Sequence, residues 1–580
     1  MCKAYSSVIS LLLISLPAYT QTTRPSYPQD YFRNPLDIPI FLAGNFGECR
    51  PGHFHSGIDI KTKGEENQPV HAAAEGYISR IKMEKGGFGH GLYITHPNGY
   101  TTLYAHLNDF SPAIQKYVRT KQYEKKAWNI DLQLSPSQFP VTKGQQVAWS
   151  GNTGASTAPH LHFEIRNTKT EHPLNPEQFG LPIVDKIPPA ATEVAFYSGN
   201  IYDAESAHPH ILSLQKTAVG YKPLKFKNDL HYGISKDTVL LEWGNIGLAL
   251  NVDDYMNGSD NSLTFYKATI RMDDSVQVEV TLDDIGYDET RYINAYTDYR
   301  SKKQKGRWFQ LFFQQPGNRL GSIYTRLNAA RGLLSVEEGS THKINISIAD
   351  DMGNVSDINF YIKGAVSPLI TDYPQLTPFY ANKPNKFADP NVTLSLDEKQ
   401  LYDDINFKFE SIPFSDGYSD KYQLHYPWVP VHHYLELMVK PTRPIPFNLR
   451  QKVVLMYSDG KETEGSSAEP VDGGWYKTNV RSLGTYWLNV DTIPPVIKSM
   501  QQPGAILSKA KQITFTAKDA VTSVKRFSGY LDDSWICFEQ HGNSFFYKFD
   551  EHCSKGKHIL VFKAEDENGN AASQTLTFIR

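Results

Sequence analysis

The sequence lacks most of the features that mark membrane proteins, nucleic-acid-binding proteins and disulfide-rich proteins. After the N-terminal segment, no stretch approaches the roughly 20 apolar residues that a helix needs to cross a bilayer. The formal net charge is −3, so no global positive field attracts nucleic acid. Only four residues are cysteine, and nothing in their arrangement resembles a cysteine-based zinc site. We therefore predict no membrane span and no nucleic-acid partner.

The cysteines that are present leave one pairing open. Cys2 precedes the apolar run near the N-terminus, and Cys49 has no obvious partner. Cys537 and Cys553 fall in what the pattern predicts to be one hairpin or two adjacent strands. An oxidising compartment would permit a disulfide between them, and the alternative is two reduced, buried thiols.

The segment 1–20 has the pattern of a secretory signal peptide. Lys3 supplies a short positive start, an apolar run extends from Val8 to Leu16, and the residues up to Thr20 offer a cleavage region. The run is too short to span a bilayer. We therefore expect an exported protein that resides in the periplasm or cell envelope, or is secreted.

Aromatic residues, glycine and proline are abundant, with 34 Tyr, 30 Phe, 40 Gly and 35 Pro. This composition favours many strands and turns over long helices. A chain of 580 residues is too long for one core, and such a length suggests about three to five domains. The predicted fold class is mainly β. We expect an antiparallel β-sheet domain with a helix-containing insertion, followed by several β-sandwich domains of the immunoglobulin-like type.

Two similar linkers and two similar hairpins suggest the domain boundaries. The linker Asp185-Lys186-Ile187-Pro188-Pro189 resembles Asp491-Thr492-Ile493-Pro494-Pro495, and segment 348–355 resembles segment 563–571. Each of the two segments reads as a strand, an acidic turn ending in Gly-Asn and a second strand, which suggests immunoglobulin-like sandwiches. The expected units are a signal peptide at 1–20, a first domain at 21–186 with an insertion at 111–140, and β domains at 190–366, 370–490 and 491–580.

The insertion and the strand before it have clear local patterns. The strand from Tyr100 to His106 would place Tyr104 and His106 on one face, because side chains alternate along a strand. After it, Ile114 and Val118 have helical spacing, and apolar residues alternate with polar ones from Trp128 to Leu134. We predict a helix followed by a half-buried strand.

The pair His160 and His162 is the most informative short motif. On a strand these two imidazoles would share one face, and Leu161 and Phe163 would point to the other face, into a core. Such a pair is what a metal site built on a sheet would look like. Two hydrogen-bonded surface histidines would give the same pattern.

Three further residues complete the set of candidates: His55, Asp59 and His106. His55 and Asp59 are too far apart on a straight strand to share an ion, so a turn at Ser56-Gly57 is the better interpretation. Zinc accepts neutral imidazole and carboxylate, and a catalytic zinc has three protein ligands plus water. Histidines left over from that ligand set would be available to hydrogen-bond the water and a developing oxyanion.

These residues lie in segments that together resemble the lysostaphin/LytM-type zinc metallopeptidases. The segments are His55-Ser56-Gly57-Ile58-Asp59, Tyr104-Ala105-His106-Leu107, Lys143-Gly144-Gln145, Ser150-Gly151-Asn152-Thr153-Gly154 and Pro159-His160-Leu161-His162-Phe163-Glu164. They occur in the family's order within about residues 38–180. The resemblance implies one zinc per chain, held by His55, Asp59 and His162. It implies His106 and His160 as the catalytic pair that orients water and stabilises the tetrahedral intermediate.

The resemblance also implies a function. Members of this family cut peptide bonds in bacterial peptidoglycan, so we expect an exported zinc metalloendopeptidase that acts on cross-links or stem peptides. The alternative is a non-catalytic envelope protein that binds peptidoglycan or activates a partner wall hydrolase, with the β domains as the contact surface for an envelope partner. A metallopeptidase that cuts proteins rather than wall is the third hypothesis. The chain departs from many relatives in two ways. Its 111–140 insertion directly follows His106 and is placed to line or cover the substrate groove of the catalytic domain. Its β domains follow the catalytic domain.

Two other groups of residues have less specific patterns. Aromatic residues between 292 and 313 would line either a glycan surface or a sandwich core, and the core is favoured. These are Tyr292, Tyr296, Tyr299, Trp308, Phe309, Phe312 and Phe313. Calcium binding by Asp253, Asp254, Asp260 and Asp350 is not favoured, because their spacing does not fit an EF-hand loop.

Overall fold

The structure is a computed structural model that describes residues 27–202, 209–224, 234–235, 238–367 and 376–580. The predicted signal peptide, Cys2 and the start of the domain predicted at 370 lie outside these residues. The described chain is mainly β, as the sequence predicts. Its longest helix has 14 residues, and no helix among the described residues is long and apolar enough to cross a membrane.

The first part of the chain forms an antiparallel sheet. Its strands are β1 (Leu42–Gly44), β2 (Cys49–Arg50), β3 (His53–Phe54), β4 (Ile58–Lys61), β5 (Pro69–His71), β6 (Gly76–Met83), β7 (His90–Thr95), β8 (Tyr100–Ala105), β9 (Asp109–Phe110), β10 (Ile130–Gln133), β11 (Pro140–Val141), β12 (Gln146–Trp149), β13 (His160–Asn167) and β14 (Pro173–Leu174). The main sheet has the order β1-β4-β13-β8-β7-β6-β10, and β5-β12-β9 form a smaller sheet. The long central strand β13 therefore lies between β4 and β8.

Alternation along β13 separates a core face from a site face. Leu161 and Phe163 are fully buried and belong to the hydrophobic cluster of this part of the chain. His160 and His162 point to the other face, as the period-two pattern predicts. The strand therefore anchors the pair of histidines on a rigid, packed element.

The insertion consists of α1 (Pro112–Lys125) and β10, which confirms the predicted helix and strand. β10 pairs with β6 and extends the edge of the sheet. The helix faces the last β unit of the chain: Arg119 Nη2 lies 3.3 Å from Glu539 Oε1, and the Tyr123 hydroxyl donates to Asp550 Oδ2 at 2.7 Å. The insertion thus serves as a docking surface for the C-terminal unit.

The next part of the chain carries two sheets that are joined through one long strand. Its elements are β15 (Ala190–Ser198), β16 (His210–Thr217), β17 (Gly220–Pro223), β18 (Ile234–Ser235), β19 (Thr238–Glu242), β20 (Gly244–Asp253), β21 (Lys267–Met272), β22 (Ser275–Thr281), α2 (Ile293–Tyr296), α3 (Tyr299–Lys305), β23 (Gln310–Leu311), β24 (Tyr324–Leu327), β25 (Leu334–Val336), β26 (Thr341–Ala349) and β27 (Val355–Val366). β16 pairs with β15 on one side and β17 on the other, and so connects the two sheets.

The remaining strands form sheets of two, four and five strands within the described residues. They are β28 (Thr377–Phe379), β29 (Asn385–Asp389), β30 (Val392–Leu396), β31 (Ile405–Phe407), β32 (Phe409–Ile412), β33 (Lys421–Leu424), β34 (Leu435–Val439), β35 (Val453–Ser458), β36 (Thr463–Ser467), β37 (Glu469–Val471), β38 (Trp475–Val480), β39 (Gly484–Val490), β40 (Val496–Ser499), β41 (Ala505–Ile506), β42 (Gln512–Lys518), β43 (Val524–Leu531), β44 (Ser534–Ile536), β45 (Glu539–His541), β46 (Ser544–Lys548), β47 (Lys557–Asp566) and β48 (Ala571–Ile579). The two hairpins noted in the sequence are β26–β27 and β47–β48, and both are confirmed.

Two open alternatives are decided by burial and geometry. Cys49, Cys537 and Cys553 are free thiols, so the second alternative, reduced buried cysteines, applies to Cys537 and Cys553. Of the aromatic residues between 292 and 313, most are buried in the hydrophobic cluster of the second part of the chain, which confirms the core assignment. The fully or nearly buried ones are Tyr292, Tyr296, Phe309, Phe312 and Phe313.

Candidate metal centre

Strand pairing brings Asp59 and His162 together. In the antiparallel pair β4–β13, Asp59 lies directly opposite His162. Directly opposite residues in an antiparallel pair have neighbouring side chains on one face. His55 reaches the same face because the chain breaks between β3 and β4 at Ser56-Gly57, where the sequence predicts a turn. Gly57 is needed there because a Cβ at this position would lie 2.3 Å from the Phe163 carbonyl oxygen.

Three donor atoms converge at this point. His55 Nε2 lies 3.1 Å from Asp59 Oδ1 and 3.0 Å from His162 Nδ1. The remaining side of the triangle, from His162 Nδ1 to Asp59 Oδ1, is 2.9 Å. All three residues are buried. Two imidazole nitrogens and one carboxylate oxygen in a tight triangle form the kind of donor set that zinc accepts.

In His55 and His162, one ring nitrogen hydrogen-bonds a residue outside the triangle. This contact determines which nitrogen faces the centre. His55 Nδ1 donates to the Asn45 carbonyl at 2.8 Å, so Nε2 points inward. His162 Nε2 lies 2.9 Å from Glu164 Oε1, so Nδ1 points inward. Outer partners of this kind determine which imidazole nitrogen is left free for a metal.

His106 and His160 stand beside the triangle. Their ring centroids are 4.8 Å apart, and the ring of His106 lies 5.8 Å from that of His162. His106 Nδ1 donates to the Thr153 carbonyl at 2.8 Å, and His160 Nδ1 donates to the Ala158 carbonyl at 2.8 Å. His160 Nε2 is buried without a hydrogen bond and lies 3.3 Å from Asp59 Oδ1. All five polar residues singled out in the sequence are therefore brought together.

The prediction that Tyr104 and His106 share a strand face is wrong. Tyr104 is fully buried in the core, where its ring packs on Phe163. His106 lies just beyond the end of β8 and has a positive φ of 58°. This left-handed conformation breaks the alternation of the strand, so the imidazole turns to the face opposite Tyr104.

Burial and neighbouring charges shift the ionisation of the cluster. Burial lowers the pKa of His55 to about 4 and that of His106 to about 3. Burial alone would raise the pKa of Asp59, but the imidazoles around it hold that pKa well below its usual value. Burial also disfavours the charged form of His162, yet its contacts with Asp59 and Glu164 raise its pKa to about 9. The carboxylate is thus ionised and His106 is neutral near pH 7.

A second layer of polar residues surrounds the centre, and sequence reasoning missed it. Glu164 Oε1 accepts from Ser56 Oγ at 2.6 Å and from the Tyr287 hydroxyl at 2.8 Å. Glu164 Oε2 accepts from Arg166 Nε at 2.6 Å. Arg166 Nη2 in turn donates to the Tyr287 hydroxyl at 2.8 Å. Glu164 and Arg166 continue the alternation of His160 and His162 along β13, so the sequence pattern could have placed them on the same strand face. No sequence pattern pointed to Tyr287.

Arg50 supports the carboxylate of the triangle from outside. Its Nη2 donates to Asp59 Oδ2 at 2.7 Å and lies 3.2 Å from Glu48 Oε2. The second carboxylate oxygen of Asp59 is therefore occupied, and only Oδ1 faces the two histidines. This arrangement favours a single Asp59 oxygen as a ligand.

Comparison with known proteins agrees with this geometry. Residues 53–123 and 129–176 match the model of peptidase family M23, and this range includes all five polar residues of the centre. The chain therefore contains an M23-type domain, which confirms the resemblance to lysostaphin/LytM-type peptidases. Residues 376–491 match the model of the Zu5-like domain.

Individual relatives cover only part of the chain. DD-carboxypeptidase/endopeptidase Mpg of Neisseria meningitidis serogroup B is 37% identical over 128 residues, which are 22% of this chain and 23% of that protein. Murein hydrolase activator NlpD of Salmonella typhimurium is 30% identical over 154 residues, 26% of this chain and 33% of that protein. The catalytic domain of the antimicrobial peptidase lysostaphin from Staphylococcus simulans is 24% identical; the match covers 23% of this chain and 87% of that chain, with a TM-score of 0.18. The chain thus spans about a quarter to a third of the length of these curated relatives.

Proposed function

We propose that this protein is an exported zinc metalloendopeptidase that hydrolyses peptide bonds of bacterial peptidoglycan, in cross-links or stem peptides. In this proposal residues 21–186 form the catalytic domain. The observation that carries it is the triangle of His55 Nε2, Asp59 Oδ1 and His162 Nδ1, with sides of 2.9–3.1 Å, beside two further histidines. A bacterial wall substrate is supported by the names of the matched relatives, Mpg and NlpD.

The three atoms of the triangle would hold one zinc ion. When bound, zinc supplies Lewis acidity and lowers the pKa of water toward 7. The protein contributes the orientation of the ligands, because Asn45 and Glu164 hold the two imidazoles and Arg50 holds the carboxylate. These contacts hold the three donor atoms in place.

His106 and His160 have roles that follow from their free nitrogens. Because Nδ1–H of His106 donates to the Thr153 carbonyl, its Nε2 carries the lone pair and can accept a proton from the attacking water. His160 Nδ1 is held by the Ala158 carbonyl, and its Nε2 is unpaired next to Asp59. With a second proton on the ring, His160 would donate from Nε2 to the oxyanion that develops when the carbonyl is attacked. The two histidines thus divide proton acceptance and oxyanion stabilisation.

The test is digestion of purified sacculi, with mass spectrometry of the released muropeptides in the presence and absence of a chelator. We expect new peptide ends that disappear with the chelator and return with zinc. His106→Ala should keep its zinc and lose about 10²–10⁴-fold in rate, the range of general acid–base catalysis. His53→Ala is a matched control, because His53 is exposed and hydrogen-bonds only the Pro51 carbonyl.

The second candidate function is that of a non-catalytic activator of a wall hydrolase. The specific observation in its favour is the match to a murein hydrolase activator. It predicts that the zinc-loaded chain releases nothing from sacculi alone but stimulates a partner hydrolase, and that His106→Ala stimulates equally well. Release by the parent chain alone, lost in His106→Ala, excludes it; digestion of an unrelated protein in parallel tests the third hypothesis, a protein-directed peptidase.

A further inference from the structure

The chain builds the same acidic arrangement twice, away from the M23-type centre. One group consists of Asp185, Asp254 and Asp350, and the other of Asp491, Asp519 and Asp566. In each group, one carboxylate oxygen of every member lies within 4.8 Å of the others. The first member comes from the similar Asp-x-Ile-Pro-Pro linkers, and the last begins the similar turns that end in Gly-Asn.

The contacts that shape the two groups correspond atom for atom. In the first group, Asn354 Nδ2 donates to Asp350 Oδ2 at 2.7 Å and reaches the Asp185 carbonyl at 3.4 Å. In the second, Asn570 Nδ2 donates to Asp566 Oδ2 at 2.8 Å and to the Asp491 carbonyl at 3.0 Å. An asparagine therefore ties the linker to the turn in both places.

The middle member of each group carries a buried oxygen with no partner. Asp254 is 3% exposed and its Oδ1 accepts no hydrogen bond; Asp519 is 8% exposed and its Oδ2 accepts none. Beside the first group, Glu177 is 8% exposed and its Oε2 is also without a partner. Buried carboxylate oxygens are costly unless a cation or a donor satisfies them.

No side-chain cation satisfies them in the described part of the chain. None of the ion pairs found there includes any of the six aspartates. Lys452 lies beside the second group, but its Nζ donates to the Asn568 carbonyl at 2.8 Å. Burial, and then the neighbouring Asp350, raise the pKa of Asp254 to about 8. Three carboxyl groups therefore meet at each place, and among the described residues no side-chain cation pairs with them.

We propose that each group of three aspartates binds one calcium ion. The ligands are all hard oxygen atoms, which suits calcium and magnesium. Magnesium usually keeps several waters, whereas calcium accepts six to eight oxygens in variable geometry, so a buried group of carboxylates favours calcium. EF-hand spacing is not required, because the ligands come from three separate segments that the fold brings together. Each ion would fasten a linker to the strands that follow it.

The test is calorimetric titration of calcium into the full chain prepared in calcium-free buffer. We expect two ions per chain. Asp254→Asn should abolish binding of one calcium ion and Asp519→Asn binding of the other, because each substitution neutralises the carboxylate whose buried oxygen has no hydrogen-bond partner. The matched control is Asp260→Asn, an exposed acidic residue near the first group, which should still bind two.

Thermal unfolding separates loss of a site from loss of the fold. In calcium-free buffer both variants should be at least as stable as the parent, because each relieves repulsion among buried carboxylates. Calcium should raise the Tm of the parent more than that of either variant. The proposal is overturned if millimolar calcium does not bind, if stoichiometry is unchanged in both variants, or if magnesium binds as tightly. It is also overturned if either variant is unfolded without calcium.

Discussion

Removal of the Tyr287 hydroxyl should weaken metal binding at a site to which this residue contributes no ligand. Tyr287 comes from the second part of the chain, yet its hydroxyl lies 2.8 Å from Glu164 Oε1, the oxygen that holds His162 Nε2. The residue is 43% exposed, but its hydroxyl is enclosed between Glu164 and Arg166. Tyr287→Phe keeps the ring over the Arg166 guanidinium and removes only the donor.

The expected loss of zinc affinity in Tyr287→Phe depends on the hydrogen-bond donors to Glu164 that remain. The Glu164 carboxylate accepts from four side chains, Ser56, His162, Arg166 and Tyr287. A hydrogen bond to a charged group contributes about 1.5–3 kcal/mol. Since three donors are kept, we take about half of this, roughly 0.75–1.5 kcal/mol, as the loss at the metal site, which corresponds to about 4- to 13-fold weaker zinc binding. The upper part of that range meets the lower end of the 10–100-fold range known for outer partners of metal ligands.

The assay is competition for zinc between the protein and a chromophoric chelator at fixed pH. Tyr361→Phe is the control, because Tyr361 is an exposed tyrosine of the same part of the chain, 45% exposed. Glu164→Gln serves as the positive control and should weaken zinc binding more than Tyr287→Phe. If Tyr287→Phe binds zinc as tightly as the parent while Glu164→Gln does not, the reasoning about this hydroxyl is refuted.

Three further substitutions test other contacts. Arg119→Ala removes the closest ion-pair partner of the buried Glu539 carboxylate and leaves only the more distant His90 and the charge of Lys548, so the free energy of unfolding of the last β unit should fall by up to about 3 kcal/mol, measured by limited proteolysis and thermal unfolding. Burial lowers the pKa of His96 to about 4, so the folded chain binds fewer protons than the unfolded chain as the pH falls from 6.5 to 4. The free energy of unfolding should therefore decrease over this window by up to about 3 kcal/mol, and denaturant titrations of His96→Gln should show a shallower decrease. Gly57→Ala places a methyl 2.3 Å from the Phe163 carbonyl oxygen, so it should cost about 1–3 kcal/mol of stability and weaken zinc binding.

Arg119→Ala and Gly57→Ala each have a counterpart that should change little, and His96→Gln is compared with the parent. Arg526→Ala removes an ion pair whose arginine side chain is 72% exposed, and should cost less than about 1 kcal/mol. Gly86→Ala adds a methyl where no atom lies within 4 Å. Equal effects of Arg119→Ala and Arg526→Ala, equal pH profiles for His96→Gln and the parent, or equal behaviour of the two glycine variants would contradict the respective argument.

The parts of the site that lie on one strand could be predicted from the sequence. Strict alternation placed His160 and His162 on one face, and the structure agrees because β13 pairs with both neighbouring strands without a break in register. Alternation failed at His106, where the strand ends and one residue takes a positive φ. Alternation predicts side-chain directions only within a regular strand, and it does not indicate the residue at which the strand ends.

Contacts between segments that are distant in the chain could not be predicted from residue periodicity. Arg50 reaches the site from the short hairpin β2–β3 and Tyr287 from a turn in the second part of the chain, and neither stands in a periodic pattern. The acidic groups show the same limit: the similar hairpins and linkers revealed two members of each group, but Asp254 and Asp519 come from strand ends that share no motif. Spacing rules for one calcium loop do not apply to a group assembled from three segments.

The M23-type centre of this chain depends on the part of the chain that follows it. Phe54, the residue before His55, is buried in the hydrophobic cluster of the second part, where its ring lies 5.5 Å from that of Tyr296. Asn45, whose carbonyl holds His55 Nδ1, exchanges two hydrogen bonds with the backbone of Thr264 at 2.8 and 2.9 Å. Asp59 and His162 lie on paired strands of the first sheet, and the second part reaches His162 only indirectly, through Tyr287 and Glu164. A change that loosens the second part should therefore release His55 first, which makes metal affinity a sensitive measure of how these two parts of the chain pack together.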